Sequence, residues 1–573
     1  MVFGKRYLRL LSLMLLFLSL FGLSLFRQIW TSGEQSKAVL KSLLEAQLAE
    51  SATGSSAFED SCFEYFRLLA SIDSEWDVRR FGDSHTSFFS RRQVVDSVRH
   101  MRVFGHCFIE NSSPHRDLNI KEIEAKVFPI FTSTIPSFKR WDGVVVEGLP
   151  LKDGASNSNK PRSSHESLWR HIVNNMNGRG IVMSVGESGV SEAKRLLRVL
   201  QTLENDLPIQ VVHKGDLTDD SMQELVKVAR SPIRVQMHDK SDNMEHLQEI
   251  WFVDAKKSIK SEFLHLFERF SNKWIASLFN SFEEMILLDT DTVPFVRPSS
   301  LFRTREYKRT GAFFFRDRLI EEYVKRGDLK FFKSLLPSKT ETLFFNFEAA
   351  EDAIKKNDFF RFGYKHIMES GVVVLRRRDH MPGLLISTAL NLWKETNETF
   401  YGDKELFWLG QSIAGKSQYD FNKHPAGAVG ILAQYGNNKI TYTCSTQPGH
   451  FDESNKLLWL NGGAKFCKKP FWDFDFSRHK SLRKTYKTAE NLRGHYESPI
   501  DANGAVIPAR SDLSLLHKML GVKSGFRKCE KMGCVGYVWC AYNRSDRATG
   551  VTLEFTQEEI RHFKFIVSVW NSE

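Results

Sequence analysis

The sequence predicts an open, mostly parallel α/β sheet with flanking helices, carried behind a single membrane-spanning segment. Three observations predict it. A strand-helix-strand pattern runs from 181 to 212, short apolar runs at 285–288 and 371–375 have the composition of buried strands, and one long uncharged stretch lies near the N-terminus. At 573 residues the chain exceeds one compact core, so two or more packed units are expected.

Lys5, Arg6 and Arg9 precede the uncharged stretch from Leu10 to Phe26, "LLSLMLLFLSLFGLSLF", which Arg27 and Trp30 close. A helix of that length measures roughly 26 Å and suits a thin early-secretory bilayer. Residues 1–9 then form a cytoplasmic tail, 10–26 a signal anchor, and the body is lumenal. A cleaved signal peptide begins the same way, but no Ala-x-Ala site follows. Residues 27–60 are rich in Ser, Ala, Glu and Gln with a stripe of Leu40, Leu43, Leu44 and Leu48. They predict a partly helical stem that gives reach and permits self-association into a homo-oligomer.

A lumenal body allows N-glycosylation at Asn111, Asn397 and Asn543, each followed by the acceptor pattern. It also allows the seven cysteines to pair with one left over. Cys529, Cys534 and Cys540 lack paired C-x-x-C spacing, so disulfides are expected there rather than structural zinc. The formal charge of +11 is spread along the chain, as in Arg376-Arg377-Arg378 and Lys468-Lys469, and reads as solvated faces. A lumenal position removes nucleic acid as a partner.

Residues 61–165 carry helical patterns rich in Phe and Arg, ending in the polar linker "KDGASNSNKPRSSHES" at 152–167. From 166 to 470 the α/β pattern takes over. It has a strand at Ile181–Val185, a helix around Val190–Leu203, a strand at 208–212, a helix at 263–279, and strands at 285–288 and 371–375. Residues 471–573 are basic, bear cysteines and end in "FKFIVSVW", which suggests an appended lobe.

The run Met285-Ile286-Leu287-Leu288 leads into Asp289-Thr290-Asp291, with Pro294 ending regular pairing soon after. In open α/β sheets ligands sit beyond the carboxyl ends of the strands, where this pair emerges. Two residues apart in extended chain, both carboxylates face one side, and their hard oxygens suit Mg²⁺ or Mn²⁺ beside a diphosphate. Spacing alone does not decide the matter, because "WDFDF" carries Asp473 and Asp475 in the same pattern. That second pair follows no aliphatic run and reads as a loop or packing element.

The neighbourhood resembles the fungal Golgi α-1,3-mannosyltransferase family, glycosyltransferase family 71, in ordered segments spread over roughly 170–573. They are "SFEEMILLDTDTVPF", "TGAFFFRDR", "HIMESGVVVL", "MPGLLISTALNLW", "YGDKELFWLG", "HFDESNKLLWLNGG" and "GYVWCAY". The resemblance implies a GT-A-like fold, GDP-mannose as donor, Mn²⁺ as cofactor, mannosylated N- or O-linked glycoprotein acceptors, α-1,3 linkages made with retention, and a Golgi type II layout. It also implies that Asp289 and Asp291 are a metal site, with Asp291 the direct ligand and Asp289 on the donor ribose or a metal-bound water, or the reverse.

Around that pair, His450 is a candidate for a later metal or phosphate contact, with a structural role as the alternative. Asp403 either caps the following helix or meets an acceptor hydroxyl, and Lys404 is a weaker donor contact. Glu369 is either a functional carboxylate or half of a buried ion pair. Lys273 either meets the diphosphate or is solvated. The strand at 181–185 and the turn at Gly186 are expected to hold the base and ribose. No G-x-G-x-x-G follows that strand, which disfavours a Rossmann dinucleotide enzyme, and no flanking carboxylate pair marks a glycosidase. An α-1,2-mannosyltransferase of similar topology and a catalytically silent lumenal glycan-binding protein are the competing readings.

Overall fold

The computed structural model describes residues 35–51, 61–83, 88–111, 118–149, 166–237, 240–244, 246–435, 440–469, 471–509, 525–529, 532–544 and 550–572. The apolar stretch at 10–26 lies outside them. Among the described residues no helix is long and apolar enough to cross a membrane.

A nine-stranded sheet forms the centre. From one edge to the other its strands are Asp420–Pro425, Ala312–Arg316, Met368–Arg376, Glu284–Leu288, Arg179–Ser184, Ile209–His213, Ile250–Asp254, Ser137–Arg140 and Val145–Glu147. The four strands from 284–288 to 250–254 run parallel, with Ile181 opposite both Ile286 and Ile209. The strand at 368–376 runs antiparallel to both its neighbours, as does Ser137–Arg140. The sheet is therefore mixed rather than mostly parallel. A buried apolar run reads the same in either direction, and strand direction is set by the connections, which for 368–376 are several short helices.

Alternate residues of the central strands feed two cores. Val182, Val212, Leu287 and Val373 face one layer, which also holds Trp169, Phe104 and Met381. Ile181, Val211, Ile286 and Val372 face the other, with Leu196, Leu200 and Trp570. The helix Val190–Thr202 forms because its apolar residues recur on one face, and it buries Ala193, Leu196, Leu197 and Leu200. Asp219–Arg230 follows, opened by a Thr218 cap with Asp219 and Asp220 in the first turn and closed with Lys227 and Arg230 in the last.

The expected boundaries dissolve into this packing. Val39, Leu40 and Leu43 of the helix Gln35–Ser51 are buried in the first core, with Leu44 packed against it, which leaves those residues unavailable for self-association. Trp169, beyond the polar linker, packs edge-on to Phe128 and Phe131 from before it. The C-terminal segment is not appended either. Strands Gly504–Ile507 and Val551–Glu554 share a six-stranded sheet with Thr292–Pro294, immediately after the Asp289-Thr290-Asp291 turn. The final helix Gln557–Asn571 inserts Phe563, Ile566 and Trp570 into the second core. The helix expected at 263–279 is instead 3₁₀ turns at Ser261–Leu266 and Arg269–Ser271 before a short helix Asn272–Leu278, broken by Arg269 in the left-handed region at φ 52°. Asp473 and Asp475 lie in the helix Trp472–Arg478, and Asp475 is buried, accepting from Tyr496 Oη at 2.7 Å. Asp475 is thus a packing element while Asp473 is exposed, and both lie in a helix rather than a loop.

Cysteines pair as Cys62–Cys107, Cys444–Cys540 and Cys467–Cys534, with Cys529 outside the three bridges. Cys529 approaches Cys444 and Cys540 closely enough for a metal-sized cluster, but two of those three sulfurs are spent in a disulfide, so zinc is disfavoured. Removing the Cys62–Cys107 bridge, which closes a separation of 45 residues, is expected to lower stability by about 3 kcal/mol. Urea denaturation of the Cys62→Ser, Cys107→Ser protein checks this, and an unchanged midpoint would contradict it.

Candidate active site

The strand Glu284–Leu288 delivers Asp289 and Asp291 at the carboxyl end of the parallel core. Backbone bonds fix the turn on both sides. Asp289 N–H donates to the Gly371 carbonyl at 2.9 Å, and Gly462 and Gly463 N–H both donate to the Asp291 carbonyl at 3.1 and 2.7 Å. Both glycines have positive φ, 99° and 76°, so the chain approaches the turn in a conformation that side-chain-bearing residues rarely adopt. The pairing of Val372 with Leu288 then sets Gly371, Ser370 and Glu369 alongside the two aspartates.

Each carboxylate carries a lysine. Lys273 Nζ lies 2.7 Å from Asp289 Oδ1 and 3.1 Å from Asp403 Oδ2, and Lys468 Nζ lies 2.5 Å from Asp291 Oδ2. Ser370 Oγ completes the first cluster, donating to Asp403 at 3.0 Å and accepting from Lys273 at 3.1 Å. Burial works against the Lys273 charge, yet Asp289 and Asp403 hold the ammonium above its ordinary value. Burial, opposed by Lys273 and reinforced by Asp291 and Asp403, pushes the Asp289 carboxyl up to about 7. One buried ammonium thus does not balance the acidic charge around it.

A cleft of about 1490 Å³ opens in front of these groups. Single-ligand sites are typically about 300–1,000 Å³, so this one has room for two reactants. Its floor is Asp289, Asp291, Lys273 and Lys468, and its far wall comes from the ends of the neighbouring parallel strands, with Gly186, Glu187, His213 and Asp216. The expected base and ribose wall at Gly186 therefore does border the cleft. Glu187 is fixed there by Thr218 N–H and by Ser221 Oγ, the latter at 2.7 Å, and both hold its carboxyl below the usual carboxylate range.

The remaining sequence candidates divide. Lys273 is buried in the floor rather than solvated. Asp403 does not cap the helix Leu406–Ile413, since it lies behind Lys273, buried and turned toward Ser370. Its carboxylate meets Lys273 and Ser370 and does not line the cleft. Glu369 is buried and accepts from Asn461 Nδ2 at 2.9 Å. Lys404 is held by Asp317 at 2.5 Å and by His366 Nδ1 at 3.1 Å, and it does not line the cleft. Asn111 is exposed, Asn397 is half-buried with its amide on the Asn391 carbonyl at 2.9 Å, and Asn543 is buried with its amide on Thr552 and Gly550.

His450 is not brought to the aspartates. It is wholly buried, stacked on Trp459 at 3.9 Å and edge-on to Phe315, and neither ring nitrogen has a hydrogen-bond partner among the described residues. Burial lowers its pKa to about 3, from 6.5. A buried neutral histidine supports the fold fully above pH 6.5 and progressively less as pH falls from there toward 3. At pH 5 the loss from this group is about 2 kcal/mol. His450→Phe is expected to flatten the fall in urea midpoint between pH 7.5 and 5, and an unchanged slope would contradict this burial.

Lys468, Ser370 and the glycine pair escaped sequence reasoning. Lys468 was hidden in what reads as a solvated Lys-Lys run, although Gly462-Gly463 was a signal of left-handed chain. The donor set fits a divalent ion: Asp289 shares its one ammonium with Asp403, and the second carboxylate oxygens of Asp289 and Asp291 have no protein hydrogen bond among the described residues.

Acidic and basic groups opposed at the carboxyl ends of a parallel core line a cleft with room for two reactants, an arrangement suited to group transfer. Comparison with known proteins says which kind. The family described as "Mannosyltransferase putative" matches residues 178–452. "Alpha-1,3-mannosyltransferase MNT2" of Saccharomyces cerevisiae is 30% identical over 561 residues, 92% of this chain and 95% of the relative. "Probable alpha-1,3-mannosyltransferase MNT4" of the same yeast is 33% identical over 553 residues, 89% of this chain and 91% of the relative. The chain belongs to the fungal α-1,3-mannosyltransferase family, glycosyltransferase family 71. The likeness to solved structures is slight: the GDP complex of the mannosyltransferase Ktr4p from S. cerevisiae aligns with 57% of this chain and 84% of its own at 11% identity and a TM-score of 0.26.

Proposed function

We propose that the chain transfers mannose from GDP-mannose to α-mannoside acceptors on N- or O-linked glycans, forming α-1,3 linkages with retention of configuration on a GT-A-like scaffold. The observation that carries this reading is the Asp289/Asp291 pair, opposed by Lys273 and Lys468, on the floor of a cleft in a chain of this family. Asp291, with Asp289, would hold Mn²⁺, which when bound neutralises the departing diphosphate. Lys468 and its neighbours Lys465 and Lys469 line the same cleft and bring fixed positive charge to that diphosphate. Gly186, Glu187 and Asp216 would seat the nucleoside. Asp403 and Ser370 orient Lys273, which in turn orients Asp289.

The same reading places the chain as a single-pass type II protein anchored by residues 10–26, with its body in the Golgi lumen. Three disulfides support an oxidising compartment. The test is the chain from residue 35 onward with a panel of sugar nucleotides and α-mannobiose, with Mn²⁺ or with EDTA, read as released nucleotide. Release is expected from GDP-mannose alone and to vanish in EDTA. Metal-independent release, or a preference for another sugar nucleotide, would overturn the assignment.

A further inference from the structure

An aromatic shelf leaves the mouth of the cleft. Phe270 borders the cleft with 59% of its surface exposed, presented by Arg269 in the left-handed region at φ 52°. A non-glycine residue held there costs energy that the fold must offset, and such strain clusters at ligand sites. The Phe270 ring lies against Gly402, where a Cβ would meet it at 3.1 Å. Tyr401, the next residue back, is also 59% exposed and stacks on His366 at 5.6 Å with the rings 17° apart. Tyr323, 51% exposed and stacked on Tyr364 at 5.2 Å, directly follows Glu322, to which the Tyr401 hydroxyl donates at 3.4 Å.

None of these rings contributes to the core, and charged groups frame Tyr401. Glu322 accepts from Lys365 at 2.8 Å and pairs with His366 Nε2 at 2.9 Å, and the Lys365 ammonium sits over the Tyr401 ring at 4.3 Å. Flat apolar rings beside ordered carboxylate and ammonium groups match a pyranose, whose C–H face packs on an aromatic ring while its hydroxyls bond to the polar rim. The shelf also joins the chemistry directly: Gly402 leads into Asp403, which holds Lys273 against Asp289.

We propose that Phe270, Tyr401 and Tyr323, with Glu322 and Lys365, form an extended acceptor subsite for an α-linked mannose chain, reaching outward from the sugar that receives the new residue. The proposal rests on the mannosyltransferase reading and adds where the acceptor chain lies. It implies that longer acceptors bind better, because residues remote from the reacting hydroxyl contact the shelf.

The test is a series of α-linked mannose acceptors, from methyl α-mannoside to mannotetraose, with Tyr401→Ala, Tyr323→Ala and Tyr401→Trp. Wild type should show KM falling with acceptor length. Tyr401→Ala should raise KM for mannotriose roughly five- to tenfold, with kcat and the KM for GDP-mannose unchanged, and Tyr401→Trp should restore it. Saturation-transfer NMR of mannotriose on each protein reads binding without turnover, so it separates failure of the shelf from failure of the mannosyltransferase reading. Equal mannotriose binding and equal acceptor KM in wild type and both alanine variants would overturn the proposal. So would loss of binding to phosphatidylserine-containing vesicles, with sugar binding intact, in those variants.

Discussion

Asp291→Ala is expected to lower kcat/KM for mannosyl transfer by roughly 10³-fold while leaving the thermal transition nearly in place. The asymmetry follows from where the side chain sits. Its carboxylate faces the cleft, and its Lys468 partner is 39% exposed and reaches solvent when released, so no charge is stranded in the interior. The turn is held by Gly462 and Gly463 on the Asp291 carbonyl, which the substitution keeps. What disappears is charge aimed at the group that leaves, where single preorganised contacts are worth about 10²–10³ in rate and loss of a bound cation more. Steady-state kinetics beside a melting curve separate the two effects. A variant that loses its fold, or keeps a tenth of wild-type activity, would contradict this placement.

Lys273→Met carries the second large effect, and there stability and activity fall together. Lys273 is buried between Asp289 and Asp403, and no other cation bridges that pair among the described residues. Removing it strands two carboxylates in contact with the interior, a loss of about 3–5 kcal/mol when a buried pair is broken from one side. Asp403→Asn added to Lys273→Met should restore part of the urea midpoint by removing one stranded charge, without restoring transfer. If the single variant is as stable as wild type, Lys273 is not the bridge described here.

The central strands were legible in the sequence because apolar runs bounded by polar turns must be buried wherever they lie: 181–185, 208–212, 285–288 and 371–375 all fall within one residue or so of observed strands. Direction was not legible, since the antiparallel course of Met368–Arg376 is decided by helices between it and its neighbour. The same holds for domain limits. Polar composition at 152–167 and the basic, Cys-bearing composition after 471 marked changes of surface, not of core, and Trp169 and Trp570 pack across both supposed boundaries.

At the site, the aspartate pair was visible because a strand end and a spacing suffice to mark it. Its partners were not, because they converge from distant segments. Lys468 reaches Asp291 only after the Gly462-Gly463 turn folds back, and Asp403 reaches Lys273 only because Gly402, at φ 71°, reverses the chain ahead of the helix. His450 misled for the opposite reason. A histidine near a motif looks like a ligand in sequence, and only the stacked Trp459 ring reveals a buried neutral imidazole.

The most direct test of the central claim is the linkage of the product. The chain from residue 35 onward, given GDP-mannose, Mn²⁺ and α-mannobiose, should yield a trisaccharide whose new anomeric proton correlates with carbon 3 of the terminal mannose in a heteronuclear NMR experiment, with the α configuration of the donor retained. A product joined through carbon 2, a β-linked product, or no product from folded protein across the acceptor series would contradict it.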